Sequence, residues 1–318
     1  MKAFVIDGYG GPERMRAGEL PEPTPRKGEV VVDVVASSVN PVDWKIRAGE
    51  LRLISGSRFP RPLGTEFAGV VHSLGAGVSG WAAGDPVYGL AVTAMGRWGA
   101  HAERVAVPAG ELRRKPAALP FAEAATLPVA ALTALNGFRL YGDLGGKTVL
   151  VNGATGGVGH FAVQIAKARG AARVAAVCSA AKADFARQLG ADVVFDYRTD
   201  ELARSRAQFD VVYDAFGHLG FGAACQFLAP RGAYVTPLGL PTVLLRSLWQ
   251  NPVGRRRLIV GNVRTEPGDY EAIEAMIAAG SVRPRIDRVV PLEKAAEAFA
   301  ALEGGGVAGK VVVRVREG

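Results

Sequence analysis

"VNGATGGVGHFAVQIAKARG", residues 151–170, is the stretch from which the rest of the chain can be ordered. Four glycines, Gly153, Gly156, Gly157 and Gly159, stand ahead of an apolar pattern in which Val158, Phe161, Ala162, Ile165 and Ala166 share one helical face. The apolar run "TVLVN" comes before them, so the glycines fall at a strand-to-helix turn. There the helix dipole and the unpaired first-turn N–H groups point at whatever lies in front. Two readings follow: a pyrophosphate cradle built from Gly153, Ala154, Gly156, Gly157, Val158 and Gly159, or a tight turn closing a helix onto a sheet. The match to G-x-G-x-x-G is imperfect, with Ala154 in the first position and Gly156 and Gly159 in the second and third. What favours the cradle is its surroundings.

Downstream, "ARVAAV", "ADVVFD", "FDVVYD", "GAYVTP" and "RLIVGN" are short apolar runs of the kind buried in parallel sheets, and helical stretches separate most of them. This alternation predicts an α/β, doubly wound Rossmann domain over residues 121–279. Upstream, "MKAFVI", "GEVVVDVVASS", "EFAGVVHSLG" and "DPVYGLA" are Val-rich strands bounded by Gly, Pro and Asp, which predicts a β-barrel unit over residues 1–120. Residues 280–318 offer an extended piece, a helix with Ala295, Ala298, Phe299 and Leu302 on one stripe, and a closing strand. This tail is expected to return to the first unit and make it discontinuous.

The second strand of the α/β unit ends at "VAAVCSAAK", where an NAD-binding domain places the carboxylate that receives the ribose 2′-hydroxyl. Cys178 and Ser179 stand there instead, with Lys182 three residues on. Lys182 is either a solvated first-turn lysine or, with the Ser179 hydroxyl, a partner for a 2′-phosphate. A charge-assisted bond of that kind is worth roughly 1.5–3 kcal/mol. The expected cofactor is therefore NADPH rather than NADH.

Composition excludes several other classes. At 318 residues, 49% hydrophobic and 21% charged, the chain is of ordinary globular make-up. A net charge of +8 would suit nucleic acid, but the arginines are scattered; the tight cluster Arg255 to Arg257 reads as a solvated face rather than a phosphate patch. No RNA-binding aromatic motif or zinc-finger spacing occurs. The two cysteines, Cys178 and Cys225, are far apart and read as reduced packing thiols, pointing to the cytoplasm. The apolar start is too short for a signal core, and the long uncharged segment Thr148 to Ala166 is too rich in glycine and amides for insertion. Neither a nucleic-acid nor a membrane partner is expected.

"NGATGGVGHFAVQIAK", "SSVNPVDWKIRAG", "LGTEFAGVV", "GDPVYG", "LPVAALTAL" and the terminal "GKVVVRV" occur in an order that resembles the quinone-reductase branch of the medium-chain dehydrogenase/reductase superfamily. The resemblance spans nearly the whole chain. It implies a GroES-like barrel joined to the Rossmann domain, and Ser179, Lys182 and Tyr197 around the 2′-phosphate. By the residues alone, Tyr197 reads equally as a half-buried aromatic beside the sheet. The resemblance further implies Asn40 and Thr133 near the nicotinamide, Ala215, Leu238 and Gly239 along the cofactor, and a homodimer. Each of those five residues also fits a packing role.

Zinc-dependent members of that superfamily carry a Cys in the segment matching "NPVDWKIR" and a His before the Glu of the segment matching "LGTEFAGVV". Here Thr65 stands in place of the His and no Cys precedes residue 178. The histidines, His72, His101, His160 and His218, show no ligand spacing and read as surface or strand residues. With no Lewis acid, charge developing on a carbonyl oxygen must be spread by the substrate itself or met by hydrogen-bond donors. The expected substrate is a quinone or an α,β-unsaturated carbonyl, a hydrophobic small molecule lined by Leu51 to Pro60, Met95 to Trp98 and Leu240 to Leu248. Lys45 is either the donor to the enolate oxygen or an exposed lysine beside Trp44. Asp43 either orients Asn40 or Lys45 or caps a short helix after Pro41. Two rival readings stay open: an enoyl-thioester reductase and a non-catalytic NADPH-binding protein.

Overall fold

The computed structural model describes residues 1–91, 99–237, 256–261, 266 and 268–317, with Ile54 by its backbone. The chain forms two compact units, one of Met1–Val129 with Ile286–Gly318, the other of Ala130–Arg285.

The first unit is built on the strand Glu29–Ser38, whose Val30, Val32 and Val34 pack with Phe67, Val71 and Val105. It pairs antiparallel with Glu66–Leu74, Arg104–Pro108 and the terminal strand Lys310–Arg314. Ile286–Pro291 runs parallel beside Lys310–Arg314, and Pro86–Leu90 and Leu112–Arg114 extend the far edge. A smaller sheet pairs Lys2–Ile6 with Met15–Glu19 and Arg61–Pro62. The helix Ala295–Glu303 buries Ala295, Ala298 and Phe299 against Phe4, Ile6, Val311 and Val313, so the tail's apolar stripe is the side that completes this core.

The second unit is a six-stranded parallel sheet in the order Val193–Asp196, Arg173–Cys178, Thr148–Asn152, Phe209–Asp214, Leu228–Thr236, Arg257–Val260. The chain builds outward from Thr148–Asn152 on one side, then crosses to the other. Its topological switch point therefore lies at the carboxyl end of Thr148–Asn152, where doubly wound sheets bind ligands. The glycine turn occupies that end.

The chain changes unit later than the pattern of apolar runs suggests, at 129/130 and 285/286 rather than 120/121 and 279/280. Phe121–Ala124 packs on Glu29–Ser38 and Glu66–Leu74, and Val129 N donates to Glu66 Oε2 at 2.7 Å, which holds this stretch to the barrel. At the other crossing, Gln164 brackets Arg283 by donating to its carbonyl and accepting from its N–H, and Arg285 N donates to His160 Nε2. Both contacts are polar and non-local, so no local propensity announces them. The stretch Phe121–Tyr141 is long and apolar enough to cross a membrane, and most of it is core.

Candidate active site

In the glycine turn, the left-handed residue is Gly153, at φ +73°. Ala154, next in line, needs no such freedom, and this accounts for an alanine at the first position of the motif. The N–H groups of Gly153 and Ala154 both donate to Val177 O at 3.1 Å, tying the turn to the neighbouring strand. A Cβ on Gly159 would lie 2.0 Å from Gly153 O, so the start of the helix Gly159–Ala168 passes directly over the turn. A Cβ on Gly156 would meet no atom nearer than 3.5 Å. The glycines thus divide into one that turns, one that packs and one that leaves the approach open, as a phosphate cradle requires.

Residues Gly159 to Ala166 are all buried, not one face alone. His160 is therefore neither surface nor strand. Its Nδ1 lies 3.0 Å from Gly156 O and its Nε2 accepts from Arg285, which fixes a neutral Nδ1–H tautomer. His101 also departs from the surface or strand expectation. It is fully buried outside a named strand, with neither ring nitrogen hydrogen-bonded among the described residues, and burial pulls its pKa down to about 3. His72 lies on a strand beside Asp33, and His218 stacks on the exposed Phe216.

At the end of the second strand the Cys178 thiol is buried and pushed up by desolvation, leaving Ser179 as the first polar group beyond it. Ser179 opens the short helical turn Ala180–Lys182. Cys178 sits in register with Asp196, and Tyr197 N donates to Cys178 O at 3.2 Å, which brings the Tyr197–Arg198 turn beside the Ser179–Lys182 turn. The Tyr197 ring is 66% exposed, so it is not a half-buried packing residue. Arg198 lies over its edge, 5.9 Å from the ring centroid.

Arg198 was not among the residues singled out from the sequence. Its guanidinium binds both oxygens of Asp196, at 3.1 and 2.9 Å. Arg198, and then the N–H groups of Arg198 and Ala180, hold the Asp196 carboxyl below its usual range. The acid at this edge is thereby neutralised. The available signal was the order D-Y-R at the end of the third strand, directly abreast of the second.

Beside the turn, Ala215 N donates to Asn152 O at 3.0 Å. The preceding Asp214 is fully buried and accepts from Asn152 Nδ2, Gly217 N, Leu219 N and the Tyr234 hydroxyl, so four donors fix the loop that carries Ala215. Thr133 is buried in the helix Leu132–Tyr141, and its carbonyl accepts from the Tyr213 hydroxyl at 2.9 Å. Leu238 and Gly239 lie outside the described residues, as do Met95 to Trp98 and Leu240 to Leu248. Of the Arg255 to Arg257 cluster, Arg255 lies outside the described residues, the half-buried Arg256 donates to Leu228 O, and the exposed Arg257 donates to the carbonyls of Leu140 and Tyr141.

In the first unit, Asn40 precedes the helix Pro41–Ala48. Asp43 Oδ2 accepts from Asn40 N at 2.8 Å and its Oδ1 from Gly64 N at 3.2 Å. Asp43 is thus the third helical residue of a capping box headed by Asn40, and it orients Asn40 through the backbone. Burial raises its carboxyl to about 7. The Asn40 side chain is committed as well: Oδ1 accepts from Lys310 Nζ at 2.5 Å and Nδ2 donates to Glu66 Oε1 at 2.8 Å. Lys310 and Glu66 meet at 2.9 Å, at 3% and 0% side-chain exposure. Neither was picked out as a site residue from the sequence; the signal was a lysine opening an otherwise apolar inward strand, "KVVVR". Lys45 is half-buried, and its side chain makes no hydrogen bond or ion pair among the described residues.

Residues 26–117 match the alcohol dehydrogenase GroES-like domain and residues 189–313 the zinc-binding dehydrogenase model. The chloroplast envelope quinone oxidoreductase homolog of Arabidopsis thaliana is 34% identical, with 98% of each chain covered. The chloroplastic NADPH-dependent alkenal/one oxidoreductase of the same plant is also 34% identical, over 98% of this chain and 79% of the relative. Among solved structures, the quinone oxidoreductase of Coxiella burnetii superposes with a TM-score of 0.88, at 29% identity and 99% coverage of both chains. The chain belongs to the quinone oxidoreductase branch of the medium-chain dehydrogenase/reductase superfamily. The GroES-like match lies inside the barrel unit, and the other begins in the Rossmann sheet and runs on into the returning tail, so it spans both units.

The zinc in the second model's description finds no donor set among the described residues. Among the described residues no group of three or more His, Cys, Asp and Glu side chains converges. The two buried acids of the first unit are spoken for: Asp43 by two backbone donors, Glu66 by Lys310, Asn40, Ser38 and Val129. These residues do not fit a catalytic zinc, which needs three protein ligands.

Proposed function

We propose that the protein is a metal-free reductase that uses NADPH to reduce a quinone or an α,β-unsaturated carbonyl. The observation that carries the cofactor choice is the Asp196–Arg198 pair beside the Ser179–Lys182 turn. Asp196, the acid in register with Cys178, is already paired, so among the described residues these strand ends present Ser179, Lys182, Tyr197 and Arg198 in place of a carboxylate open to a ribose hydroxyl. A 2′-phosphate suits that set.

In this reading the turn Gly153, Ala154, Gly156, Gly157, Val158 and Gly159 holds the pyrophosphate, Thr133 and Ala215 border the rest of the cofactor, and Leu238 and Gly239 continue that border. The cofactor, when bound, supplies hydride. Asn40, with its amide locked, serves as a fixed donor and acceptor beside the nicotinamide. Lys45 donates a hydrogen bond to the carbonyl oxygen on which the enolate charge gathers. With no zinc donor set, these residues meet only part of that charge. The rest has to be delocalised over the substrate's own conjugated system, which favours quinones, enals and enones over saturated ketones.

The experiment is to follow NADPH absorbance with purified protein and a panel of quinones, enals, enones and one saturated ketone. Oxidation with conjugated acceptors alone is expected. Tight NADPH binding without oxidation anywhere in the panel would turn the reading to a non-catalytic cofactor-binding protein. The homodimer expected from the family likeness is checked by the mass in solution. A cytoplasmic location rests on the two free cysteines alone; the two curated relatives described above are chloroplast proteins.

A further inference from the structure

We infer that Lys310 and Glu66 are positioning residues for the reaction, acting through Asn40; the inference rests on the reading above that Asn40 stands beside the nicotinamide. The Lys310 ammonium has three hydrogens and three acceptors: Asn40 Oδ1 at 2.5 Å, Glu66 Oε1 at 2.9 Å and Val39 O at 3.4 Å. Glu66 Oε1 also accepts from Asn40 Nδ2 at 2.8 Å and from the Ser38 hydroxyl, while Oε2 accepts from Val129 N. Every member of this buried cluster is satisfied.

A satisfied buried ion pair contributes little net stability, because the desolvation of two charges consumes most of their attraction, and apolar residues of similar volume serve as well. What the pair delivers is direction. Lys310 requires an oxygen from the Asn40 amide and Glu66 requires an N–H, so turning the amide over would set its NH₂ against an ammonium and its oxygen against a carboxylate. The amide is left with one defined orientation. The Nδ2 contacts to Ser38 O and Thr65 Oγ1, both at 3.5 Å, are too long to hold the other N–H firmly.

The same carboxylate gathers Ser38 at the end of the central strand, Asn40 at the head of the helix bearing Lys45, Lys310 on the last strand, and Val129 where the chain leaves the barrel unit. Groups contributed by three separate stretches, around residues 38–40, 129 and 310, are thereby held in one register, the kind of fixing that sets the reacting geometry.

The test uses the full-length enzyme with NADPH and an enone that the wild type reduces. Lys310→Met is expected to lower kcat about tenfold or more, with NADPH affinity unchanged. The pair Glu66→Met/Lys310→Met, which removes both charges, is expected to restore the melting temperature but not kcat. Recovery of kcat together with the melting temperature would reduce the cluster to a structural one and overturn the inference. A cycle with Asn40→Ala tests the route without depending on that pair. If Lys310 acts through Asn40, adding Lys310→Met to Asn40→Ala costs no further kcat. Multiplicative losses would overturn it. A wild type inactive on the whole panel would instead sink the proposed function, so the two failures are distinct.

Discussion

Asp196 holds Arg198 by both carboxylate oxygens, and the neutral pair sits abreast of Cys178, one residue before Ser179. A guanidinium braced in this way is oriented without being buried, the condition under which an arginine meets an incoming phosphate at low entropic cost. Arg198→Met is therefore expected to weaken NADPH binding by roughly one decade and to leave NADH binding unchanged. Cofactor titrations by nicotinamide fluorescence check it, and equal losses for both cofactors would remove Arg198 from 2′-phosphate recognition.

Lys45 lacks any side-chain partner among the described residues, so its replacement disturbs little besides what it donates to. Lys45→Met is expected to cut kcat on an enone by roughly tenfold to a hundredfold, with the NADPH dissociation constant and melting temperature held. Undiminished turnover would take Lys45 out of the mechanism.

Gly159 has no room for a side chain, since a Cβ would lie 2.0 Å from Gly153 O. Gly159→Ala must shift the turn or the helix, at about 1–3 kcal/mol, and should abolish measurable NADPH binding even where the protein still folds. Thermal melts with and without NADPH provide the check: the variant is expected to lose the cofactor-induced rise in melting temperature.

Asp43 and His101 predict opposite pH trends. The folded Asp43 carboxyl titrates at about 7 against an ordinary 3.8, because burial disfavours its charge. Between those values the native state keeps a proton that the unfolded chain has released. Its contribution to stability is thus lost as pH rises from about 4 to 7, by roughly 4 kcal/mol at about 1.4 kcal/mol per unit. His101 titrates at about 3 against 6.5, so its effect runs the other way: stability is lost as pH falls through that interval and the unfolded chain alone takes up a proton. Denaturant midpoints across pH 3–8 should show Asp43→Asn flattening the decline toward neutrality and His101→Leu flattening the acid side.

The Rossmann half was legible because its information is local. Each strand from "TVLVN" to "RLIVGN" is a short apolar run, and the glycine spacing marks the switch point directly. Ser179, Lys182 and Tyr197 lie within the chain segments that end those strands. Arg198 was missed because its meaning depends on Cys178 and Asp196 being in register, a pairing across eighteen positions. Glu66 and Lys310 were missed for the same reason on a larger scale. Their contact spans 244 positions, and nothing near either residue tells a paired interior charge from a solvated one. The local half of Asp43's role, its bond to Asn40 N at the helix start, was legible, whereas its second partner, Gly64 N, lies twenty-one positions away and was not.

The returning tail has a consequence for how the molecule comes into being. During synthesis the second unit is complete once Arg285 has emerged, whereas the first sheet still lacks Lys310–Arg314. Until that last strand arrives, Glu66 and the Asn40 oxygen both lack the Lys310 ammonium, so the half made first on the ribosome is the half that matures last. A nascent chain cut short after the Rossmann unit would carry an unbalanced interior carboxylate, making the final few residues the checkpoint between a cofactor-binding fragment and a finished enzyme.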